Sequence, residues 1–142
     1  NAGDFFVNLS IAYVDDERRS DTPGDPYVTI MEQERRLRSR SYLSASWTKN
    51  DWAAGVSTSR IGSMNYQSPR WDGKPNTKID PYYDIGAFVR YDIEDGHYVA
   101  LSVSNLMDDV PKKNSDLGWP WFATYYYSPV GRELFLTYRY TF

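Results

Sequence analysis

The chain contains no cysteine, which excludes a disulfide framework and a thiolate metal site. There is one histidine, His97. It stands beside a turn and reads as incidental. No nucleophile elbow, P-loop or histidine-containing metal motif occurs, so nothing argues for an enzyme or for a bound cofactor. No run of 18 apolar residues exists, which excludes a transmembrane helix but not a membrane-spanning strand. Net charge is −3 with no basic block, which argues against nucleic acid as a main partner. Glycine and proline are not in excess and apolar residues make up 41%, which argues against disorder.

What the chain does have is aromatic side chains and a period of two. It carries 13 Tyr, 6 Phe and 5 Trp in 142 residues, enough for one ordinary domain. Aromatics suit strands and also bilayer interfaces. In the last stretch, Arg132 to Phe142, Leu134, Leu136, Tyr138, Tyr140 and Phe142 share one parity. Glu133, Thr137, Arg139 and Thr141 share the other, with Phe135 as an apolar intruder. Alternation of this kind predicts a strand with one apolar and one polar face.

The same pattern recurs upstream. Strands are predicted over Asp4 to Val14, Arg35 to Thr48, Trp52 to Ile61, Tyr82 to Ile93 and His97 to Asn105, with a possible short addition at Tyr27 to Met31. On the second faces, Ser44, Ser46, Gly55, Ser57, Ser59, Ser102 and Ser104 are small and polar. Lys49-Asn50-Asp51 and Glu94-Asp95-Gly96 read as tight turns. Asp15 to Gln33, Gly62 to Pro81 and Leu106 to Val130 read as long loops.

Connections therefore alternate between long and short, as they do in outer-membrane barrels, where short turns face the periplasm. The expected fold is all-β: an antiparallel up-and-down meander of about six strands, part of a larger transmembrane β-barrel. In a barrel the apolar parity meets lipid, and Asp84, Arg90, Asp92 and Arg139 point into the lumen. In a soluble sandwich the same parity packs inward. Trp47, Trp52, Tyr91, Tyr138 and Phe142 lie near short turns or the terminus, where an aromatic girdle belongs.

The most specific text is Leu101-Ser-Val-Ser-Asn105-Leu106-Met107-Asp108-Asp109, then Pro111, then Tyr127-Ser128-Pro129-Val130-Gly131-Arg132 ahead of the final strand. Here the chain resembles the carboxy-terminal end of TonB-dependent outer-membrane receptors. That family has a Val-x-Asn-Leu-Phe-Asp-like turn followed by Pro, then a Tyr-x-Pro-x-Gly-Arg segment and a last strand ending in Phe. Met107 stands where Phe is usual, and Ser128 where Asp or Glu is common. Arg38 to Trp52 resembles, more weakly, an arginine-rich strand with a paired-tryptophan hairpin of the same family.

Structural tasks are assigned to this motif. Asn105 caps a turn by bonding nearby backbone, Pro111 ends the strand, Gly131 supplies a positive dihedral or a bulge, and Arg132 opens the last strand. The resemblance gives Tyr138, Tyr140 and Phe142 a further role as a signal read by the outer-membrane barrel assembly machinery. Trp71, Trp119, Trp121 and Tyr126, in or near long loops, are candidate ligand-stacking residues. The carboxylates at Asp15 to Glu17 and at Asp92, Glu94 and Asp95 lack calcium-loop spacing and read as solvated ends.

The resemblance implies residues 1–142 of a receptor barrel in the bacterial outer membrane, with Asn1-Ala2 reading as the remnant of a cleaved tag. It implies a parent with 22 strands and an amino-terminal plug. That parent would take up a ferric siderophore, cobalamin or a glycan with energy delivered through TonB. Expected partners are membrane lipid, the assembly machinery, TonB through a plug not represented here, and a small-molecule ligand. Six strands alone are not expected to transport, and are expected to hide their edges by self-association or by curling into a small barrel. The alternatives are a soluble all-β carbohydrate-binding module and a plug-free porin.

Overall fold

A computed structural model describes residues 2–30, 36–66, 77–93, 96–113 and 126–141. Among them there is no helix, and six long strands form one antiparallel sheet. These are β1 (Asp4–Tyr13), β4 (Ser39–Lys49), β5 (Trp52–Ile61), β8 (Tyr82–Ile93), β9 (His97–Ser104) and β10 (Glu133–Arg139). Each pairs with the next in the chain, giving the order β1-β4-β5-β8-β9-β10 and an up-and-down meander.

The register aligns the sequence parities. Val7, Ala45, Val56, Ala87, Val103 and Leu134 lie in one row across all six strands. Phe5, Trp47, Ala54, Val89, Leu101 and Leu136 form the next row on the same face. A one-residue slip in any strand would send its apolar set through the sheet, so a continuous apolar face constrains every register at once.

Short connections gather at one end. Lys49 pairs with Trp52 across a two-residue turn in which Asn50 has φ 50°. Ile93 pairs with His97, and Gly96, just ahead of His97, has φ 81°. Asparagine and glycine are the residues that tolerate this left-handed backbone.

The long connections depart from the loops expected of them. The first contains a ribbon of β2 (Arg18–Arg19), which was not expected, and β3 (Val28–Thr29), which falls within the short addition expected at Tyr27 to Met31. Thr29 Oγ1 donates to Asp16 at 2.6 Å, and Asp16 also pairs with Arg18. Asp16 is thus engaged rather than merely solvated, and the Thr29 hydroxyl, then the Arg18 guanidinium, lower its pKa. The second contains β6 (Met64–Tyr66) paired with β7 (Thr77–Ile79), where the sequence reading expected only loop. Strands this short carry too little alternation to register as a pattern. β4 begins at Ser39, not Arg35, and β10 ends at Arg139, before the expected Phe142.

The sheet is a single layer and is open: β1 pairs only with β4, and β10 only with β9. The curled, closed small barrel expected as one outcome is therefore not adopted. Among the described residues, the buried apolar side chains include Ile30, Ala53, Met64 and Tyr127. Met64 and Tyr127 form a small cluster with Leu37, Ile61, Ile79, Tyr82 and Tyr126 where the long connections root.

One packing detail fixes the middle of the sheet. Phe6, Ser46, Gly55, Phe88, Ser102 and Phe135 share a row on the second face, so the large rings are separated by small residues. The Phe88 ring lies over Gly55, where an added Cβ would meet Phe88 Cε1 at 2.6 Å and the Ala45 carbonyl at 3.0 Å. Gly55→Ala is expected to destabilise the sheet by about 1–3 kcal/mol through overpacking. Denaturant unfolding in detergent micelles checks this, with Gly55→Ala/Phe88→Leu recovering part of the loss.

Candidate functional site

The two faces of the sheet differ in chemistry, and each is a candidate surface. On the first, side chains from Phe5, Leu9, Ile11, Val56, Leu101 and Leu134 stand exposed. Leu136 is 77% exposed, Leu101 48% and Val89 37%. A soluble sandwich would bury these three in one core, and no second sheet covers them among the described residues.

Aromatic residues border this face. At the short-turn end, Trp52 and Tyr91 lie with ring centroids 4.8 Å apart. His97 stacks on Tyr140 at 4.1 Å, and its Nδ1 is 2.8 Å from the Tyr138 hydroxyl. His97, read as incidental, thus joins the two terminal tyrosines; a one-strand reading could not place it opposite Tyr140. At the loop end, Arg60 Nε donates to the Tyr83 hydroxyl at 3.3 Å. Tyr83 and Tyr91 both lie on β8, and the eight residue steps from one to the other span about 27 Å at ~3.4 Å each. With a strand tilt near 40°, that becomes about 20 Å of apolar height, close to the ~25 Å band of an outer-membrane barrel.

The second face holds a trough of about 590 Å³ floored by Ser44, Ser46, Ser57, Ser102 and Ser104, with Asp84, Phe88 and Phe135 around it. Small hydroxyl side chains leave this volume open where larger ones would fill it. Nearer the short turns, Arg90 Nη2 donates to Asp92 at 2.8 Å, and its guanidinium lies 5.3 Å from the Tyr98 ring centroid. Asp84, Arg90, Asp92 and Arg139 share this face, as the parity predicted.

The turn motif after β9 is held by Asn105, which is only 5% exposed. Its φ is 48°. Its Nδ2 donates to the Asp109 carbonyl at 2.7 Å and to the Val130 carbonyl at 3.4 Å, while its Oδ1 accepts from the Asp109 N–H at 3.0 Å. The Asp84 carboxylate accepts the Asn105 N–H at 3.2 Å. The side chain therefore closes a local turn and also reaches the segment that enters β10.

Gly131 and Pro111 act differently from expectation. Gly131 has no positive φ. An added Cβ there would come within 2.7 Å of Asp108 Oδ1, the oxygen that accepts the Arg132 N–H at 2.8 Å. Glycine is needed for close approach rather than for backbone freedom. Arg132 Nε donates to the Leu106 carbonyl at 3.0 Å, tying the two halves of the motif together. β9 ends at Ser104, well before Pro111, which is buried against the root of the long connections. The strand is ended by the left-handed Asn105, not by the proline.

Of the loop aromatics proposed to stack on ligand, Trp71, Trp119 and Trp121 lie outside the described residues, as does Phe142. Tyr126 packs beside Tyr127, with ring centroids 6.5 Å apart, in the small cluster at the loop root. No group of three or more His, Asp or Glu side chains placed to hold a metal ion occurs among the described residues.

Comparison with protein-family models, with curated proteins and with solved structures found no match to this chain. The functional reading therefore rests on geometry and on the motif.

Proposed function

We propose that the six strands are a sector of a transmembrane β-barrel in the bacterial outer membrane, belonging to a TonB-dependent receptor. The observation that carries this reading is the single-layer sheet whose exposed face is apolar across all six registered strands in the rows from Val7 to Leu134 and from Phe5 to Leu136. That face is edged by Trp52, Tyr91, Tyr138 and Tyr140 at the short-turn end. Water would leave this much aligned apolar surface strongly unfavourable, whereas lipid matches it. The serine-lined trough becomes lumen wall, and the long connections become extracellular loops. β1 and β10 find their partners in neighbouring barrel strands, which removes two open edges.

In this reading the Asn105–Arg132 motif shapes the last extracellular connection. The parent imports a scarce ligand of the siderophore, cobalamin or glycan class with energy from TonB, through a plug seated against the trough.

The test is fractionation of cells that express the full-length protein, followed by electrophoresis with and without heating. Recovery in the outer membrane with heat-modifiable migration is expected. A water-soluble parent that migrates identically before and after heating would overturn the reading.

A further inference from the structure

Charge is divided unequally between the two faces of the sheet. Within the six long strands every carboxylate, at Asp4, Asp84, Asp92 and Glu133, stands on the second face. The Asp, Glu, Lys and Arg residues of those strands on the apolar face reduce to two cations, Lys49 and Arg60. They stand at its opposite ends. Arg60 is level with Tyr83, and Lys49 is level with Trp52 and Tyr91. These are the two levels that bound the apolar height of about 20 Å. Basic side chains with apolar stems, and aromatic rings with one polar tip, collect where hydrocarbon gives way to headgroups.

Arg60 is held in place. It is half-buried, its Nη1 donates to Ser39 Oγ at 3.0 Å, and its Nε donates to the Tyr83 hydroxyl at 3.3 Å. Its guanidinium carbon lies 6.0 Å from the Tyr83 ring centroid. Arg18, Arg19, Arg36 and Arg90 each pair with a carboxylate. Arg60 is positioned by neutral hydroxyls instead, and no carboxylate neutralises it among the described residues. Hydroxyls orient the guanidinium but leave its full charge at the edge of an apolar surface. A charge so placed calls for an oxyanion, and the guanidinium fork suits a phosphate.

We propose that Arg60, oriented by Ser39 and Tyr83, binds the phosphate of an acidic lipid headgroup at the loop end of the apolar face. The site rests on the barrel reading, since it needs that face to meet lipid. Below Arg60 on the same face of β5 come Thr58, Val56, Ala54 and Trp52. An acyl chain lies along this row while its headgroup reaches the guanidinium, so the two halves of a lipid meet matching surfaces.

A photoreactive benzoylphenylalanine in place of Tyr13 samples the site, because Tyr13 is the cross-strand partner of Ser39. The full-length protein carrying it is folded into vesicles of equal parts phosphatidic acid and phosphatidylcholine. Crosslinked lipids are then counted by mass spectrometry. Phosphatidic acid is expected to be captured about fivefold more than phosphatidylcholine, the preference one basic side chain confers at an anionic surface. Arg60→Gln is expected to bring the ratio near one while phosphatidylcholine capture persists, which reports that the strand still folds against lipid. Arg60→Lys keeps the charge without the planar fork and should fall between the two. Arg139→Gln, on the second face, should leave the ratio unchanged. A ratio near one with Arg60 intact, or a preference that survives Arg60→Gln, would overturn the lipid site while phosphatidylcholine capture leaves the barrel reading standing. An equal drop in Arg139→Gln would also overturn the site, assigning the preference to overall charge. Capture of neither lipid would overturn the barrel reading and the site with it.

Discussion

Val56→Arg is expected to cost about 2–4 kcal/mol of folding stability in lipid vesicles, the penalty for arginine at the lipid-facing midplane of a barrel. Val56 lies in the row midway between the Tyr83 and Tyr91 positions of the apolar face, and it is 56% exposed. On a water-exposed sheet the same substitution is an ordinary surface change, with an effect within about 0.5 kcal/mol. The neighbouring Ser57 lines the trough on the opposite face. Ser57→Arg, one residue away, is expected to cost at least about 1 kcal/mol less, because its side chain extends into the open trough rather than toward lipid. The difference between the two variants is what matters, because backbone propensity and expression effects are nearly common to both. Denaturant unfolding of the full-length protein in vesicles gives the two values. Equal costs would mean that the apolar face does not meet lipid.

The faces of the sheet were legible in the sequence because a strand's side chains alternate whatever its surroundings. Leu101, Val103, Ser102 and Ser104 declare their sides by position alone, and cross-strand register follows from keeping each apolar set together. Two kinds of feature were not legible. The β6–β7 ribbon is too short to alternate, and His97 acquires its partners from a strand some 40 residues later. A periodic reading sees one strand at a time and is blind to such meetings. Gly131 illustrates a subtler limit. It was expected to supply a positive dihedral or a bulge, whereas its φ is not positive and its missing Cβ leaves room for Asp108. Only coordinates separate those two uses of a missing Cβ. The floor of the trough was legible as small polar residues on the second faces of the strands, although the concavity itself appears only once the strands are registered side by side.

Substitutions at Asn105 are expected to separate backbone strain from hydrogen bonding in the turn that delivers β10. Asn105→Ala removes the amide that serves the Asp109 N–H, the Asp109 carbonyl and the Val130 carbonyl, and it places a Cβ-bearing residue without a local bond at φ 48°. Strain of about 1–3 kcal/mol adds to about 1–3 kcal/mol for polar groups left unpaired, so a loss of roughly 3 kcal/mol is expected. Asn105→Gly relieves the strain but does not restore the lost bonds, and its loss should fall about 1 kcal/mol short of the alanine loss. Asn105→Asp tolerates the left-handed backbone and still accepts from the Asp109 N–H, but presents a carboxylate to the two carbonyls and sits beside Asp84. It should therefore be worse than glycine at neutral pH and recover part of its stability in acid, when protonation restores a donor. The ordering alanine, then aspartate, then glycine, from most to least damaging at neutral pH, is read from unfolding midpoints in vesicles. A glycine variant as damaged as alanine would assign the loss to the amide's bonds alone; one close to wild type would assign it to strain. Either way Asn105, rather than Pro111, would stand as the residue that turns the chain from β9 toward its last strand.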